Sequence, residues 1–357
     1  MRILVINCGS SSIKYKLFRF PQRQCLAKGL IEHIGEKGSS VKDHYSGLKL
    51  ILNQHSEVSA VGHRVVHGAE TFTKPVIITA KVINQIKRCS SIAPLHNPAN
   101  LAGILACAKL LAGVTQVAVF DTAFHQTIPP KAYIYGLPYR YYEKFGIRKY
   151  GFHGTSHNYV AQLAAQKMKK PLSRLKVITC HLGNGCSITA VRHGRSVDTS
   201  MGFTPLEGLV MGTRCGDIDA ALVTYIMQKE KIDISQVERI LNKESGLLGL
   251  SGVSNDMRII ESRARAGDRR CQLALEVFVY RIKKYIGAYT AIIGGCDAVV
   301  FTGGIGEHQK NIRRKICNGL FNHLKKMPAI LVIPTDEELM IASETYRLVK
   351  SFSKKQE

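Results

Sequence analysis

Two short segments of the chain share a plan that suits the binding of phosphate. Each is an apolar run, a tip of small polar residues and a second run that alternates apolar with polar residues; they cover 3–18 and 177–191. This pattern predicts two β-hairpins. Small residues at a tip leave backbone N–H groups open to an anion, because no side chain blocks its approach. One such tip is more often an ordinary turn, but the repetition favours phosphate chemistry and two related domains.

Two arginines stand in glycine-rich, apolar surroundings, Arg64 and Arg214. A buried guanidinium needs an anion. Structural ion pairs are one explanation, and for a single arginine the better one. Because two such arginines accompany two glycine-rich hairpins, the sequence favours a clamp on a transferring phosphoryl group.

Two histidines are also placed where they could act. His153 precedes a predicted helix, and His181 lies at the rim of the second hairpin. A histidine is more often structural than catalytic, so position alone does not assign either one a role. His153 and His157 have the spacing of a zinc-protease motif, but Gly154 stands where that motif requires Glu, so a zinc site is not expected.

Oxygen-bearing side chains stand at three predicted strand or helix ends, namely Asn7, Asp121 and Glu337. Mg²⁺ takes one or two carboxylates together with water and substrate phosphates. Helix capping is the competing explanation for Glu337. Gly303–Gly306 follows a predicted strand and opens a helix, which would direct free N–H groups at a phosphate. That segment is neither a Walker loop nor the dinucleotide fingerprint.

The elements that carry these residues alternate between strand and helix, which predicts an α/β fold. A strand over 114–120 places Asp121 at its carboxyl end, where open α/β sheets hold functional groups. Helices are expected from 97 to 110, from about 155 to 168 and after 217, and residues 336–338 should open the final helix. The predicted helix caps are Asn97, then Thr155 or Ser156, and Asp217.

Composition narrows the class of protein. A chain of 357 residues, 45% of them hydrophobic, suits two domains. It contains no run of 18 apolar residues and begins with a strand pattern, so neither a membrane partner nor a signal peptide is expected. The ten cysteines include no Cys-x-x-Cys, which is typical of buried thiols in a reducing compartment. Together these features predict a cytoplasmic location.

The net charge of +24 raises the possibility of a nucleic-acid partner. The basic residues are spread along the chain, and no zinc-finger or aromatic–basic RNA motif accompanies them. Lys167, Lys169 and Lys170 stand at a predicted helix end, where cations are favoured. A solvated surface that attracts phosphate substrates is therefore preferred, and no nucleic acid is expected as partner.

With these motifs the chain resembles the acetate kinase family. The resemblance implies the fold shared by acetate kinases, sugar kinases, a heat-shock chaperone and actin: two RNase H-like domains, a duplicated βββαβαβα unit, with ATP in the cleft between them. The domains would be 1–123, completed by a C-terminal helix at 339–357, and 124–338. The matching motifs run in family order over nearly the whole chain, at 7–14, 63–68, 94–98, 120–125, 151–157, 181–185, 198–208, 212–214, 303–307 and 334–338.

The resemblance also implies roles for single residues. Arg64 and Arg214 would hold the acyl carboxylate and the transferring phosphoryl group, with His153 stabilising the transition state and His181 contacting phosphate. Asn7, Asp121 and Glu337 match positions that organise Mg²⁺ or Mn²⁺. The pocket for the methyl group of acetate would be Val66, Leu95, Phe152 and Pro205. The ATP or ADP contacts would be Lys14, His181, Gly183, Asn184, Gly185, Asp256, Met257, Arg258, Gly303, Gly304, Ile305, Gly306 and His308.

The implied reaction is direct in-line transfer from ATP to acetate, giving acetyl phosphate and ADP, in a homodimer. Acetate is already an anion at neutral pH, since a simple carboxyl has a pKa of about 4 to 5. No general base is needed, so Asp121 fits the metal better than proton abstraction. Replacing Arg64 or Arg214 with Ala should cut turnover by orders of magnitude while the protein stays folded.

The chain departs from the family pattern at a few points. It looks shorter than family members between Cys25 and Ala60 and between Arg313 and Ala329, and His308 stands where the family has Asn.

Three competing functions stay open. Propionate or a longer acid could be the acceptor, because one methylene is worth only about 1–3 kcal/mol; Val66 favours acetate. The chain could also be a non-catalytic nucleotide-binding protein of the same fold, or a basic nucleic-acid binder.

Overall fold

The structure is a computed structural model that describes residues 1–55, 57–94, 96–322 and 324–353. It divides into two compact units. Unit 1 comprises Met1–Gln126, Gly154–Tyr159 and Asp336–Glu357, and unit 2 comprises Thr127–His153 and Val160–Thr335. The domains expected from the sequence differ from these units chiefly at Gly154–Tyr159, which the structure groups with unit 1.

Unit 1 is built on a six-stranded sheet of order β3-β2-β1-β4-β6-β5. Its strands are β1 (Arg2–Cys8), β2 (Ile13–Arg19), β3 (Gln24–Ile31), β4 (Ala60–Val65), β5 (Val76–Ile77) and β6 (Thr115–Phe120). Its helices are α1 (His44–Gln54), α2 (Ala80–Cys89), α3 (Asn97–Leu110) and α14 (Glu337–Ser353).

Unit 2 is built on a five-stranded sheet of order β11-β10-β7-β8-β9. Its strands are β7 (Lys176–Leu182), β8 (Cys186–Arg192), β9 (Arg195–Thr199), β10 (Ala298–Thr302) and β11 (Ala329–Val332). Its helices, of which α6 begins in the part counted with unit 1, are α4 (Pro130–Tyr133), α5 (Arg140–Phe145), α6 (Gly154–Lys167), α7 (Ala221–Glu230), α8 (Ile234–Arg239), α9 (Gly246–Ser251), α10 (Met257–Arg265), α11 (Arg269–Ile293), α12 (Gly303–His308) and α13 (Lys310–Cys317).

The two sheets share one arrangement, and the predicted α/β fold with a repeated hairpin is confirmed. In unit 1 the antiparallel hairpin β1–β2 pairs in parallel with β4 through β1, and β4 pairs in parallel with β6. In unit 2 the hairpin β7–β8 pairs in parallel with β10 through β7, and β10 with β11. Because parallel strands end at one edge of a sheet, residues that follow β4 and β6 come together, as do those that follow β7 and β10.

The first strand shows how the unit 1 sheet is buried on both faces. Successive side chains of a strand point to opposite sides. Leu4 and Ile6 pack in a core with Leu48 of α1 and Cys107 of α3, whereas Ile3 and Val5 pack with Ile341 and Ala342 of α14. A strand covered by helices on both faces reads as a continuous apolar run, which is the pattern of residues 3–6.

The three helix caps expected from the sequence differ in the structure. Helix α3 spans Asn97–Leu110 as predicted, but its N-cap is His96, and the Asn97 side chain instead binds the backbone of His67 in both directions. The N-cap of α6 is His153, in the left-handed conformation at φ 56°, so Thr155 lies inside the first turn rather than before it.

The Ser156 alternative for that cap is wrong for the same reason, since Ser156 also lies within α6. Asp217 does not cap a helix, because α7 begins only at Ala221 with Ala220 as N-cap. The predicted start of the final helix is confirmed: the Leu339 N–H donates to Asp336 Oδ1 at 3.0 Å, and α14 begins at Glu337. No helix among the described residues is long and apolar enough to cross a membrane.

Candidate active site

In unit 1, Arg64 near the end of β4 forms a two-pronged ion pair with Asp121, which directly follows β6. Arg64 Nε lies 3.1 and 3.0 Å from the two carboxylate oxygens, and Nη2 lies 2.6 Å from Oδ2. The parallel register of β4 and β6, with Val65 opposite Phe120, brings the two side chains to the same edge. Arg64 Nη1 makes no hydrogen bond within the described part of the chain. The structural ion-pair explanation therefore holds for Arg64, although one arm of its guanidinium stays available.

Burial and charge act against each other in this pair. The Asp121 side chain is 1% exposed. Burial raises the pKa of Asp121, and the Arg64 guanidinium opposes that rise. Burial lowers the pKa of Arg64, but the charges of Asp121 and Glu337 outweigh it and hold the pKa above its ordinary value. The Arg64 guanidinium thus favours the charged form of Asp121, whereas burial disfavours it.

Further charged groups surround this pair at the start of α14. Glu337 Oε2 lies 3.8 Å from Arg64 Nε. Lys14 Nζ lies 2.6 Å from Glu338, and Lys16 Nζ lies 2.9 Å from Asp336 and 3.2 Å from Glu338. Glu338 is therefore neutralised by lysines from β2, whereas the ion pair of Glu337 within the described part of the chain is the longer contact to Arg64.

The donors in unit 1 fit a hard divalent cation. The charge of Glu337 adds to the rise in the pKa of Asp121, which means that the two carboxylates repel one another and would be stabilised by a further cation. Asn7 lies on β1, opposite Lys14 in the hairpin. Among the residues described, no cluster of three or more His, Cys, Asp or Glu could form a closed metal cage. Two carboxylates match a Mg²⁺ that takes its remaining oxygens from phosphate and water.

The backbone after β4 is fixed by two asparagines of α3. The Val66 N–H donates to Asn100 Oδ1 at 3.0 Å, and Asn100 Nδ2 donates to the carbonyl of Cys8 at 2.8 Å. Asn97 binds the backbone of His67, as described above. Sequence reasoning missed this role of the two side chains, and their only signal was the i, i+3 spacing on one predicted helix. Val66 itself is 9% exposed. Leu95, the second predicted pocket residue, lies outside the described residues.

In unit 2, the two predicted histidines stack beside the tip of the β7–β8 hairpin. The ring centroids of His153 and His181 are 4.2 Å apart, and their planes are inclined by 28°. His153 Nδ1 lies 2.9 Å from Ser187 Oγ on β8. A Cβ added to Gly185 would lie 3.5 Å from His153 Cε1. The tip at Gly185 therefore lies in close contact with the His153 ring, and two imidazoles line it.

Arg214 reaches the same hairpin tip. A Cβ on Gly185 would lie 3.4 Å from its Nη1, and Nη1 donates weakly to the carbonyl of Pro205 at 3.4 Å. Unlike Arg64, Arg214 forms no ion pair within the part of the chain that is described. Burial lowers its pKa. A half-buried guanidinium without a carboxylate partner calls for an anion, and residues 1–55, 57–94, 96–322 and 324–353 supply none by an ion pair.

The hairpin tip is joined to the loop of Arg214 through its backbone. The Gly212 N–H donates to the carbonyl of Asn184 at 2.9 Å, and Asn255 Nδ2 donates to Asn184 Oδ1 at 3.1 Å. The Gly183 N–H is taken by the carbonyl of Gly185 at 3.1 Å. The tip is therefore held in shape by its neighbours before any ligand binds.

The glycine turn after β10 differs from the expectation of free N–H groups. The Gly303 N–H donates to Glu307 Oε1 at 2.9 Å, and the Thr335 N–H donates to the same oxygen at 3.2 Å. Glu307 therefore closes the start of α12, which the sequence analysis did not foresee. Gly303 is required there, since at φ +77° a Cβ would lie 2.8 Å from the carbonyl of Leu182. Of the other predicted residues, Gly304 and His308 are exposed, Ile305 is half-buried and Gly306 is buried.

The second predicted adenosine segment surrounds the start of α10. Asp256 caps the helix by accepting the Arg258 N–H at 2.9 Å, and it pairs with Arg258 Nη2 at 2.6 Å. Met257 is 3% exposed, whereas the Arg258 side chain is 80% exposed. Asp256 and Arg258 can therefore meet a ligand, and Met257 supports them from the core. Phe152 is also buried, at 3% exposed, and Pro205 is half-buried.

The sequence of this chain is similar to those of known acetate kinases. The sequence profile of the acetokinase family matches residues 2–325. An acetate kinase of Halothermothrix orenii is 52% identical over 398 aligned positions, which cover 98% of this chain and 100% of that protein. Because that alignment is longer than this chain of 357 residues, the relative contains residues with no counterpart here.

Solved structures agree with the sequence comparison. The crystal structure of Porphyromonas gingivalis acetate kinase matches with a TM-score of 0.92 and 42% identity, covering 98% of this chain and 99% of the other. The crystal structure of a propionate kinase from Francisella tularensis matches with a TM-score of 0.91 and 44% identity, covering 97% and 99%. The two structural similarities are nearly equal.

Proposed function

Because the chain belongs to the acetokinase family, we propose that it catalyses reversible transfer of the γ-phosphoryl group of ATP to acetate, giving acetyl phosphate and ADP. It is a phosphotransferase with a carboxylate as acceptor. Mg²⁺ or Mn²⁺ as cofactor, a homodimer and a cytoplasmic location complete the proposal, on the strength of the family resemblance.

The observation that carries the proposal is the state of Arg214. Its guanidinium is half-buried beside a glycine hairpin tip and two stacked imidazoles, and it has no carboxylate partner among the described residues. Backbone N–H groups, imidazoles and an unpaired arginine are the groups that bind a phosphoryl group and stabilise the charge of its transition state.

Arg64 is suited to hold the acceptor. Its Nε and Nη2 are engaged by Asp121, which fixes the guanidinium plane and leaves Nη1 to donate to a carboxylate oxygen of acetate. Acetate is ionised at neutral pH, so the reaction requires no proton abstraction. The main barrier is repulsion between two anions, and positive groups on both reactants lower it.

Asp121 and Glu337, with the amide oxygen of Asn7, would hold the divalent metal. When bound, such an ion neutralises charge on the phosphate oxygens. The ion pair with Arg64 orients the Asp121 carboxylate, and the lysines on Glu338 leave Glu337 as the second carboxylate.

The nucleotide would be held by the hairpin tips and by the segments at 256–258 and 303–308. Lys14 is a candidate for phosphate because its side chain is 50% exposed even though it pairs with Glu338. His308 is exposed and can meet a ligand, and its imidazole replaces the amide that the family resemblance leads one to expect. We therefore expect any altered nucleotide preference to depend on His308.

Acetate is preferred over propionate on the size of Val66. Val66 is 9% exposed. If it lines the pocket, as the family resemblance implies, its two methyl groups would occupy space that a further carbon of the acid would need. One methylene is worth about 1–3 kcal/mol in such a pocket, which makes the expected preference about fivefold to about 150-fold.

Trapping the product with hydroxylamine tests the proposal. Purified protein is incubated with Mg-ATP and hydroxylamine, and with acetate, propionate or butyrate at equal concentration, and the acyl hydroxamate is quantified. We expect product with acetate above all, and loss of product in Arg214→Ala or after chelation of the metal. A folded protein that binds ATP but forms no hydroxamate with any acid would support a non-catalytic, nucleotide-binding role. More product with propionate would retain the reaction and overturn the choice of acid.

A further inference from the structure

Arg214 lies on a long segment without helix or strand, between β9 and α7. An arginine that must meet a phosphoryl group needs a fixed position, since a displacement of about 1 Å can cost a hundredfold in rate. No carboxylate among the described residues holds the guanidinium itself. The position of Arg214 must therefore come from the loop that carries it.

Asp217 closes that loop at its base. The Gly208 N–H donates to Asp217 Oδ1 at 2.8 Å, and the Asp217 N–H donates to the carbonyl of Gly208 at 2.9 Å. These reciprocal bonds join the two ends of the segment 208–217. Gly208 is required for the closure, since at φ +110° a Cβ would lie 2.5 Å from the carbonyl of Ser200.

The second oxygen of Asp217 attaches the loop to the longest helix of the unit. The Tyr285 hydroxyl, from α11 (Arg269–Ile293), donates to Asp217 Oδ2 at 2.7 Å. Burial and this hydrogen bond raise the pKa of Tyr285, so the hydroxyl stays protonated as a donor. Both carboxylate oxygens are thus used to fix the loop.

The middle of the loop, around Gly212, is attached to the tip of the β7–β8 hairpin. The Gly212 N–H donates to the carbonyl of Asn184, and the Met211 N–H donates to the carbonyl of Arg214 at 3.1 Å. The residues beside Arg214 are also held by the segment 241–248, because the Ser245 N–H donates to the carbonyl of Thr213 and the Cys215 N–H donates to the carbonyl of Leu241, each at 3.0 Å. Among these fastenings, the Asp217 closure is the one that involves a charged side chain. Asp217 is not among the residues to which the family resemblance assigned a role in binding or catalysis.

We propose that Asp217, anchored by Tyr285, is a positioning residue that acts on phosphoryl transfer through Arg214. The proposal rests on the proposed function, because the rate of acyl phosphate formation is its readout. Asp217 is not a catalytic residue here, since its oxygens are taken by Gly208 and Tyr285 and it acts only through the loop.

A double-mutant cycle on the full chain separates this role from general support of the fold. We expect Arg214→Ala to lower kcat by about a thousandfold. Asp217→Ala should lower kcat by about thirtyfold to a hundredfold, with little change in the KM for ATP. If Asp217 acts through Arg214, the double variant should stay within about twofold of Arg214→Ala alone. A double variant slower than that by the whole Asp217→Ala factor would overturn the proposal.

Two conservative variants keep the test open if Asp217→Ala folds poorly. Asp217→Asn retains an oxygen for the Gly208 N–H and an amide that can donate to the Tyr285 oxygen, so its kcat should stay within about fivefold of the parent. Tyr285→Phe removes one hydrogen bond to a carboxylate and should lower kcat by about tenfold. Tyr280→Phe, at a position on the same helix that is 67% exposed, is the matched control and should match the parent.

The remaining outcomes are also decisive. Tyr285→Phe with parental kcat, or Asp217→Asn as slow as a folded Asp217→Ala, would overturn the assignment of a positioning hydrogen bond. A parent chain that forms no acyl phosphate would overturn the proposed function itself, which is distinct from an active parent whose cycle is additive.

Discussion

Replacing each of the two arginines with Ala should affect activity alike and stability differently. Both variants are expected to lose phosphoryl transfer by orders of magnitude. Arg64→Ala leaves the Asp121 carboxylate, 1% exposed, without its guanidinium partner. Arg214→Ala leaves no carboxylate behind, because Arg214 has no ion pair among the described residues. The expectation from sequence was that both variants stay folded. The structure adds that Arg64→Ala should be the less stable of the two.

The size of the effect follows from the burial of the pair. Removing one partner of a buried ion pair costs about 3–5 kcal/mol, and the lower end applies because the Arg64 side chain is 21% exposed. A loss of about 3 kcal/mol corresponds to a fall in melting temperature of roughly 6–12 °C for a unit of this size. Arg214→Ala loses only weak hydrogen bonds, so its stability should stay within about 1 kcal/mol of the parent.

The loss of stability in Arg64→Ala should depend on pH. That dependence tests whether the unpaired Asp121 carboxylate is its cause. Burial already raises the pKa of Asp121, and without Arg64 nothing comparable opposes that rise. A carboxyl whose folded pKa lies above its unfolded value contributes stability below the unfolded pKa and loses it as the pH rises through the folded pKa. The deficit of Arg64→Ala should therefore shrink on acidification from about pH 7 to about pH 5.

Thermal unfolding followed by circular dichroism at both pH values measures these quantities. The double variant Arg64→Ala/Asp121→Asn is the control, because it has no carboxylate to leave unpaired and should recover much of the lost stability at neutral pH. An Arg64→Ala variant that melts with the parent, or whose deficit grows on acidification, would refute the reasoning.

Three further predictions concern single side chains. Val66→Ala should raise kcat/KM for propionate relative to acetate by about fivefold or more, the low end of what one methylene is worth in such a pocket, and an unchanged ratio in the hydroxamate assay would count against Val66 as a pocket residue. Ser187→Ala removes the hydroxyl 2.9 Å from His153 Nδ1 and should lower kcat by about fivefold at unchanged melting temperature; equal kcat would show that this bond does not orient the imidazole. Burial lowers the pKa of His63 to about 4, so stability should be present above about pH 6.5 and fall as the pH drops toward 4. His63→Gln should show a weaker dependence in urea unfolding at several pH values, and an unaltered slope would contradict the assignment to His63.

Local patterns in the sequence were enough to predict the repeated hairpins and the final helix. The alternation in residues 13–18 and 186–191 and the small residues at each tip act within a few positions of one another. The carboxyl end of β6 was predicted for the same reason, since a buried strand of residues 115–120 is a continuous apolar run apart from its first two residues. Each of these elements is decided by its own residues.

Polar side chains near helix starts were harder to predict. Such a side chain can cap its own helix, or it can hydrogen-bond to a residue far along the chain. Asn97 and Asp217 both suit an N-cap, but Asn97 binds His67, 30 residues away, and Asp217 binds Tyr285, 68 residues away. The Gly303 N–H was expected to be free, yet Glu307 four residues later accepts it. Sequence alone shows the local use in each case, and the fold decides which use prevails.

The two arginines of the candidate site look alike in the sequence but differ in their partners in the structure. In the sequence they are alike, each isolated among glycines and apolar residues. In the structure Arg64 gives two of its nitrogens to Asp121, so its plane is fixed by a carboxylate and only Nη1 remains for a ligand. Arg214 keeps its whole charge uncompensated among the described residues. The singly available Nη1 matches an acceptor with one negative charge, and the uncompensated guanidinium matches the more highly charged phosphoryl group.

Because Arg214 must keep its charge for the phosphoryl group, its side chain cannot be positioned by a carboxylate as that of Arg64 is. A carboxylate bound to Arg214 would hold it in place but would repel the phosphoryl group that it must stabilise. Asp217 places its carboxylate at the base of the loop instead, where it binds the Gly208 N–H and the Tyr285 hydroxyl and leaves the guanidinium unpaired. An arginine that must carry its full charge to a ligand is therefore best positioned through its backbone, and the cycle between Asp217 and Arg214 measures whether this chain does so.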